Sequence, residues 1–164
     1  MHRRKLFGSL AAAGAGLAVA VALAAGDPAS LNTQPETNRS KTMSNANERV
    51  VTYIAAWNER DAKRRRDLVA STWTEDGRYV DAHRRAEGHA AIDAMIDQAQ
   101  RQFPGYRLRL VSGIEAHNDQ VRFSWGAGGA DQAPLYLGGT DFGVMAPDGR
   151  FRSVTGFVDA APAR

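Results

Sequence analysis

Cysteine is absent from all 164 residues of the chain. The protein therefore has no disulfide, no thiol nucleophile and no thiolate ligand for a metal ion. The sequence also lacks a Gly-rich phosphate loop, a serine in a nucleophile elbow and a cluster of histidines. These absences argue against nucleotide-dependent, serine-hydrolase and metal-dependent chemistry, and we expect no cofactor and no metal site.

The excess of basic over acidic residues is small. Lysine and arginine number 21 against 18 acidic residues, which gives a formal net charge of +3. Three of the basic residues, Arg3, Arg4 and Lys5, lie in an N-terminal segment that has the features of an export signal. Without them, the remaining 18 basic residues equal the acidic ones in number. We expect no nucleic-acid partner, because a nearly neutral domain lacks the positive surface that phosphate binding requires.

The first 24 residues have the three parts of a signal peptide. A basic patch precedes a run of Ala, Gly, Leu and Val at residues 6–26, and Ala22-Leu23-Ala24 has the pattern of a cleavage site. We expect export to the periplasm or the extracellular space, with no stable membrane association after processing. The patch Arg3-Arg4-Lys5-Leu6-Phe7 is similar to a twin-arginine signal. The alternative is an uncleaved anchor, since about 20 apolar residues can span a bilayer.

The segment that follows, residues 25–46, is polar, contains two prolines and shows no periodic pattern. Such a segment buries too little apolar surface to fold by itself, so the sequence predicts a disordered tether. The folded domain is then predicted at residues 47–160. This length is sufficient for one domain with a single hydrophobic core.

Three helices are predicted from apolar residues that recur with a period of 3.6. The first covers residues 48–59. The second begins at Asp61, whose carboxylate can cap a helix, and runs to about Trp73. The third follows Gly88 and ends at Pro104-Gly105.

Strands are predicted where apolar residues alternate with polar ones, as at residues 106–110 and 121–125. Two closing strands are predicted at about residues 135–145 and 151–159. A short strand at residues 78–81 follows a break at Glu75-Asp76-Gly77, and the two turns are His117-Asn118-Asp119 and a type I′ turn at Pro147-Asp148-Gly149. The predicted fold is α+β, with three helices packed in a strongly curved, mainly antiparallel sheet that forms a cone-shaped pocket.

Three polar side chains fall within otherwise apolar segments: Tyr53, Asp81 and Asp141. A buried polar group costs free energy unless it finds a partner or a ligand, so these are the candidate catalytic residues. Each also has a purely structural interpretation. Tyr53 can bond a backbone carbonyl, Asp81 can brace a loop, and Asp141 faces outward if the strand register shifts by one residue.

The order and spacing of these motifs resemble the nuclear transport factor 2-like superfamily, which includes ketosteroid isomerases and SnoaL-like polyketide cyclases. The resemblance covers residues 48–159. It is carried by Tyr53-Ile-Ala-Ala-Trp-Asn-x-x-Asp61, Tyr79-Val-Asp81, Gly88-x-x-Ala91-Ile92, Thr140-Asp141-Phe142 and Asp148-Gly149-Arg150.

By its position in the resemblance, Asp81 matches the base that moves the proton in ketosteroid isomerases. Tyr53 matches the phenol that donates to the developing oxyanion, and Asp141 matches the second donor, an aspartic acid kept protonated. Such a reaction needs a base beside the acidic C–H and donors where negative charge develops. The resemblance therefore implies cofactor-free proton transfer.

The chain departs from the isomerase pattern after the base, where Ala82 stands in place of the usual proline. We expect a small hydrophobic molecule as the ligand and a homodimer as the assembly. The alternatives are a noncatalytic module that binds a hydrophobic ligand and a dimerisation module of the same fold. Seven further residues are candidates for substrate binding: Trp57, Tyr79, His83, His117, Phe123, Trp125 and Phe142.

Overall fold

The computed structural model describes residues 36–129 and 135–159 and confirms the predicted α+β fold. The helices are α1 (Glu36–Asn58), α2 (Ala62–Thr72) and α3 (His89–Gln102). The predicted signal peptide lies outside the described residues. The strands are β1 (Trp73–Val80), β2 (Arg85–Glu87), β3 (Arg107–Leu110), β4 (Glu115–His117), β5 (Gln120–Gly128), β6 (Leu135–Met145) and β7 (Phe151–Val158).

The strands form one open, strongly curved sheet in the order β2-β1-β7-β6-β5-β3, with β4 also paired to β5. Strands β3 and β4 lie one after the other along the same edge of β5. All described pairs are antiparallel except β1 and β7, which are parallel. Register shifts occur in the β1–β7, β5–β6 and β6–β7 pairs. Such irregularities bend a sheet and increase its twist.

Helix α1 begins at Glu36, twelve residues before the start predicted from the apolar pattern. The prediction of a disordered tether is therefore wrong for residues 36–46, whereas residues 25–35 lie outside the described part. Ala46 and Val50 are fully buried, so packing on the domain stabilises this end of the helix. In the described residues, no helix is both long enough and apolar enough to cross a bilayer.

Two local predictions on strands need correction. Glu75-Asp76-Gly77 does not break the chain but lies within β1, where the pairing with β7 shifts register between Trp73 and Arg78. The turn after β6 has a positive φ only at Gly149, at 82°, and not at Asp148. A type I′ turn requires positive φ at both of its central residues, so the predicted turn type is wrong although its location is correct.

Arg65 on α2 is only 3% exposed, although its neighbours Arg64 and Arg66 are exposed. Its guanidinium lies 2.7 Å from the Asp93 carboxylate and 3.2 Å from that of Asp97, both on α3. A buried cation is tolerated only when it is paired and hydrogen-bonded. The ion pairs therefore fix α2 against α3.

Replacing Arg65 with methionine is expected to lower the free energy of unfolding by about 2 kcal/mol, because it leaves the partly buried Asp93 carboxylate without its partner, whereas Asp97 keeps Arg101. Urea unfolding at pH 7 measures this loss. The matched control is Lys63→Met on the same helix, since Lys63 pairs with Asp67 but both side chains are exposed. The control should change stability by less than about 0.5 kcal/mol. Equal losses in the two variants would contradict the role of Arg65.

Candidate active site

An aromatic cluster fixes Tyr53 on the inner face of α1. The ring of Tyr53 lies 5.3 Å from those of Trp73 and Phe123, centroid to centroid, and 6.1 Å from that of Phe151. Several of these rings meet edge to face, which is a favourable geometry. Tyr53 is 1% exposed, so the cluster determines where its hydroxyl points.

The C-terminal end of α1 is attached to the sheet through Asn58. The side-chain amide of Asn58 donates to the Leu108 carbonyl at 2.9 Å, and its oxygen accepts from the Leu108 N–H at 2.8 Å. The side chain thus imitates a neighbouring strand at the edge of β3. This attachment holds Trp57, the preceding residue, against the same face of the sheet.

Asp141 on β6 lies behind Tyr53 and is completely buried. Its Oδ2 accepts a hydrogen bond of 2.5 Å from the Tyr53 hydroxyl, and its Oδ1 accepts one of 2.9 Å from the indole N–H of Trp125. Gly139 stands opposite Trp125 in the β5–β6 pair. A Cβ at Gly139 would lie only 2.7 Å from the indole Cζ2, so glycine allows the indole to lie across the sheet toward Asp141.

Burial raises the pKa of Asp141 from its ordinary 3.8 to about 6, although the hydrogen bonds from Tyr53 and Trp125 oppose the rise. The charge of Asp81 adds to it. Burial also raises the pKa of the Tyr53 phenol well above its ordinary value, and the Asp141 charge adds to that rise. The Trp57 side chain acts in the opposite direction on the Tyr53 pKa.

Asp81 follows β1 and is held by donors on both carboxylate oxygens. Its Oδ1 accepts from the backbone N–H groups of His83 at 2.6 Å and Arg84 at 2.7 Å. Its Oδ2 accepts from the Tyr79 hydroxyl at 2.9 Å and lies 3.5 Å from the Arg84 guanidinium. The side chain is 2% exposed. These neighbours all donate, so both carboxylate oxygens of Asp81 already have hydrogen-bond partners.

Tyr53 and Asp81 share one cavity of about 70 Å³, which is several times the space that one water molecule needs. The polar groups in the wall are three phenols, two indole N–H groups, one carboxylate, one guanidinium and one amide. The wall is otherwise aromatic and aliphatic. The lining residues are Tyr53, Trp57, Tyr79, Asp81, Arg84, Ala99, Gln100, Phe103, Tyr106, Leu108, Trp125, Ala127, Leu137 and Val158.

The sequence profile of the SnoaL-like domain family matches residues 50–156, which include every strand of the sheet except the end of β7. The chain belongs to the SnoaL-like family. No curated protein matches this chain.

Solved structures agree with this SnoaL-like assignment. A presumed isomerase of the SnoaL-like family from Agrobacterium tumefaciens is 41% identical, over 71% of this chain and 99% of the other, with a TM-score of 0.67. A presumed SnoaL-like polyketide cyclase from Jannaschia is 19% identical, over 71% and 86% of the two chains, with a TM-score of 0.58.

A third structure, from Catenulispora acidiphila, has a ketosteroid isomerase-like fold and was solved in complex with trimethylamine. It is 17% identical over 66% of this chain and 83% of the other, with a TM-score of 0.55. The Jannaschia and Catenulispora structures show a shared fold. Together, the three neighbours confirm that this SnoaL-like chain has the predicted nuclear transport factor 2-like architecture.

Within the SnoaL-like cavity, the structure brings together five of the residues named from the sequence: Tyr53, Trp57, Tyr79, Asp81 and Trp125. Two others lie behind the wall. Asp141 contacts Tyr53 and Trp125 from the far side, and Phe123 packs edge-on against the Tyr53 ring. Asp141 therefore contacts the donor and not the cavity, unlike the direct second donor that the resemblance implied.

The structure places three of the predicted substrate-binding residues away from this cavity. His83 is exposed and contributes its backbone N–H to Asp81. His117 at the end of β4 and Phe142 on β6 line a different groove, together with Arg122. Neighbouring residues of a strand face opposite sides of the sheet, so Phe142 faces outward because Asp141 faces inward.

Several residues at the site were not among the predicted site residues, and three of them bear on its polar groups. Arg84 and Gln100 line the cavity, and Gly156 on β7 pairs directly with Asp141 on β6. The polar residues that follow Asp81 could have indicated Arg84 as a site residue. The helical pattern of α3 does not indicate that Gln100 faces the cavity. The side-chain amide of Gln100 donates to the backbone carbonyls of Trp57 and Glu59, both at 2.9 Å.

Gly156 lies where the two carboxylates approach each other. A Cβ at this position would lie 2.9 Å from Asp141 Oδ1, 3.2 Å from the Tyr79 hydroxyl and 3.3 Å from the Cβ of Asp81. Replacing Gly156 with alanine is therefore expected to lower the free energy of unfolding by about 1–3 kcal/mol through overpacking. Thermal and urea unfolding measure this loss.

The control for this prediction is Gly113→Ala, because a Cβ at Gly113 would meet nothing within 4 Å and its φ is not positive. That variant should be unchanged or slightly more stable. A Gly156→Ala variant as stable as the control would show that the two carboxylates tolerate a methyl group between them.

Proposed function

We propose that this SnoaL-like protein catalyses cofactor-free proton transfer on a compact, hydrophobic carbonyl compound, in an isomerisation that uses Asp81 as the base. The observation that carries the proposal is a buried carboxylate that faces the same aromatic cavity as the Tyr53 phenol. The 41% identity to a presumed isomerase supports the reaction class. The cavity volume supports a compact substrate.

In the proposed reaction, Asp81 removes a proton from the carbon next to the carbonyl group. The C–H electron pair forms the enolate double bond, and the carbonyl π electrons move to oxygen. Asp81 then returns the same proton to another carbon of the conjugated system, which restores the carbonyl group and shifts the double bond. The backbone donors to Asp81 hold its carboxylate in place during both steps.

The protonation state of Asp141 determines what Tyr53 can donate to. A carboxylate only accepts, so ionised Asp141 accepts the hydrogen bond of the Tyr53 hydroxyl, at 2.5 Å, and the hydroxyl is not free to donate to a substrate. A protonated Asp141 donates to the Tyr53 oxygen instead and leaves the phenol proton available to a substrate oxygen. Asp141 is therefore a positioning residue for Tyr53 in the proposed reaction.

The test is exchange of α-hydrogens in D2O. The purified protein is incubated with EDTA and a panel of compact ketones and enones, and deuterium uptake is followed by mass spectrometry. We expect uptake in at least one compound well above the buffer rate. The Asp67→Asn variant, which alters an exposed carboxylate on α2, should be as active as the wild type. Compounds that bind without any exchange would contradict proton transfer.

A noncatalytic ligand-binding role is the second candidate, and the surroundings of Asp81 favour it. Both carboxylate oxygens of Asp81 already accept hydrogen bonds, and the Arg84 guanidinium lies 3.5 Å away. A carboxylate whose oxygens already accept hydrogen bonds has fewer free acceptor sites for a substrate proton. This role requires binding of a hydrophobic compound in the cavity with no exchange of its hydrogens.

We also propose that the protein is exported and processed after Ala24. The support is the order of a basic patch, an apolar run and a small-residue site in residues 1–24. Intact mass of the protein recovered from the periplasm or the medium tests this proposal. A mass that includes Met1 would contradict processing, and retention in the membrane would favour the anchor.

A homodimer through the outer face of the sheet is a further proposal. Phe142 and Phe157 are 44% and 60% exposed on this face and meet edge to face at 6.1 Å. Sedimentation velocity should show a dimer that Phe157→Ser converts to a monomer. Val51→Ser, which removes an exposed apolar residue of α1, serves as the control and should leave the dimer intact. A monomeric wild type would contradict the proposal.

A further inference from the structure

Most hydrogen-bond donors in the cavity wall are already engaged within the protein. Tyr53 donates to Asp141, Tyr79 donates to Asp81, and the Trp125 indole donates to Asp141. The Gln100 amide donates to the backbone carbonyls of Trp57 and Glu59. A ligand oxygen in the cavity therefore needs another donor. The wall also contains Arg84, Tyr106 and Trp57, and of these the Trp57 ring lies beside that of Tyr53, 6.2 Å away centroid to centroid.

The indole of Trp57 has such a donor. Trp57 lines the cavity, is 8% exposed, and its Nε1 is a buried atom with no hydrogen-bond partner among the described residues. Burying a donor without a partner is unfavourable, and an acceptor bound in the cavity relieves that cost.

We propose that the Trp57 indole N–H donates a hydrogen bond to an oxygen atom of the ligand in this cavity, next to the Tyr53 hydroxyl. The ligand class is a planar carbonyl compound, its enolate or a phenol. In the reaction proposed above, on which this assignment builds, the Trp57 donor stabilises the carbonyl oxygen as it gains negative charge. Unlike Tyr53, the Trp57 donor is available whether Asp141 is ionised or protonated.

The chain provides a matched control in Trp73. Its Nε1 is the other buried side-chain polar atom without a partner among the described residues. Trp73 is fully buried in the core and does not line the cavity. A ligand in the cavity can therefore reach the Trp57 N–H and not that of Trp73.

The experiment uses 4-methylphenol and toluene as probes, because they share one ring and differ in the oxygen atom. The chain has three tryptophans, so the 15N-labelled protein gives three indole N–H signals, assigned with Trp73→Phe and Trp125→Phe. We expect 4-methylphenol to shift the Trp57 signal downfield, toluene to shift it much less, and the Trp73 signal to stay in place. A Trp57 signal that responds equally to the two probes would overturn the proposal.

Affinity gives a second readout. Trp57→Phe should weaken 4-methylphenol binding about 5- to 10-fold and toluene binding by less than twofold, whereas Asp67→Asn, at an exposed site on α2, should change neither by more than about twofold. Unchanged 4-methylphenol affinity in Trp57→Phe would overturn the proposal, as would wild-type protein that binds 4-methylphenol no better than toluene. If Trp57→Phe does not fold, the wild-type spectra decide.

These outcomes are separate from those of the exchange assay. A Trp57 signal that responds to 4-methylphenol, combined with no α-hydrogen exchange in any carbonyl compound, supports the oxygen site and contradicts the proposed reaction. Exchange of α-hydrogens without a shift of the Trp57 signal supports the proposed reaction and overturns the assignment of Trp57 as the donor to the ligand oxygen.

Discussion

Replacing Asp81 with asparagine is expected to lower kcat for α-hydrogen exchange by about 10²- to 10⁴-fold, the usual contribution of a general base. The amide oxygen of asparagine can still accept from the two backbone N–H groups that hold Asp81 Oδ1. The Tyr79 hydroxyl can turn to accept from the new NH2 group. Since the shape of the cavity is retained, ligand affinity should change by no more than a few-fold.

Exchange rates and ligand affinity are measured on the same preparation, with Asp67→Asn as the control for loss of an acidic residue. A loss of affinity equal to the loss of rate would mean that Asp81 serves binding. An Asp81→Asn variant with wild-type exchange would rule out Asp81 as the base. The split between kcat and affinity therefore separates the two candidate functions.

Asp141 is expected to make the protein less stable as the pH rises from about 4 to about 7. Its pKa in the folded protein is about 6, against an ordinary value of 3.8. The folded state therefore binds more protons in this range, and the free energy of unfolding falls with pH. The stability that the raised pKa of Asp141 contributes is fully present below pH 3.8 and is lost as the pH rises through 6. A shift of this size corresponds to about 3 kcal/mol.

The measurement compares urea unfolding of wild type and Asp141→Asn between pH 4.5 and pH 8. Asparagine cannot ionise, so the variant should become more stable relative to the wild type as the pH rises. Its oxygen can accept from the Trp125 N–H, and its NH2 group can donate to the Tyr53 hydroxyl. Stability curves that stay parallel over this range would show that burial does not raise the pKa of Asp141.

The sequence predicts those parts of the site that depend on strong periodicity. Helical spacing places Tyr53 and Trp57 on one face of α1, and alternation places Phe123 and Trp125 on the inner face of β5. The inward direction of Asp141 depends on strand register, which the sequence leaves open by one residue. For the same reason Asp141 and Phe142 could not both face the cavity, and the sequence alone does not say which one does.

Other features of the fold depend on tertiary contacts that periodicity does not report. Arg65 resembles its exposed basic neighbours in sequence, and only the packing of α2 on α3 shows that it is buried beside two aspartates. The early start of α1 depends on burial of Ala46 against the domain. The hydrogen bond from Tyr53 to Asp141 joins residues 88 positions apart, and it determines which donors remain for a ligand.

The most direct test of the central claim is a crystal structure of the Asp81→Asn variant with the compound that the wild type exchanges fastest. The exchanging carbon should lie within about 3.5 Å of the side chain at position 81, as a reactive geometry requires. The carbonyl oxygen should lie on the side of the cavity formed by Trp57 and Tyr53. A compound bound outside the cavity, or with its exchanging carbon turned away from position 81, would contradict proton transfer by Asp81.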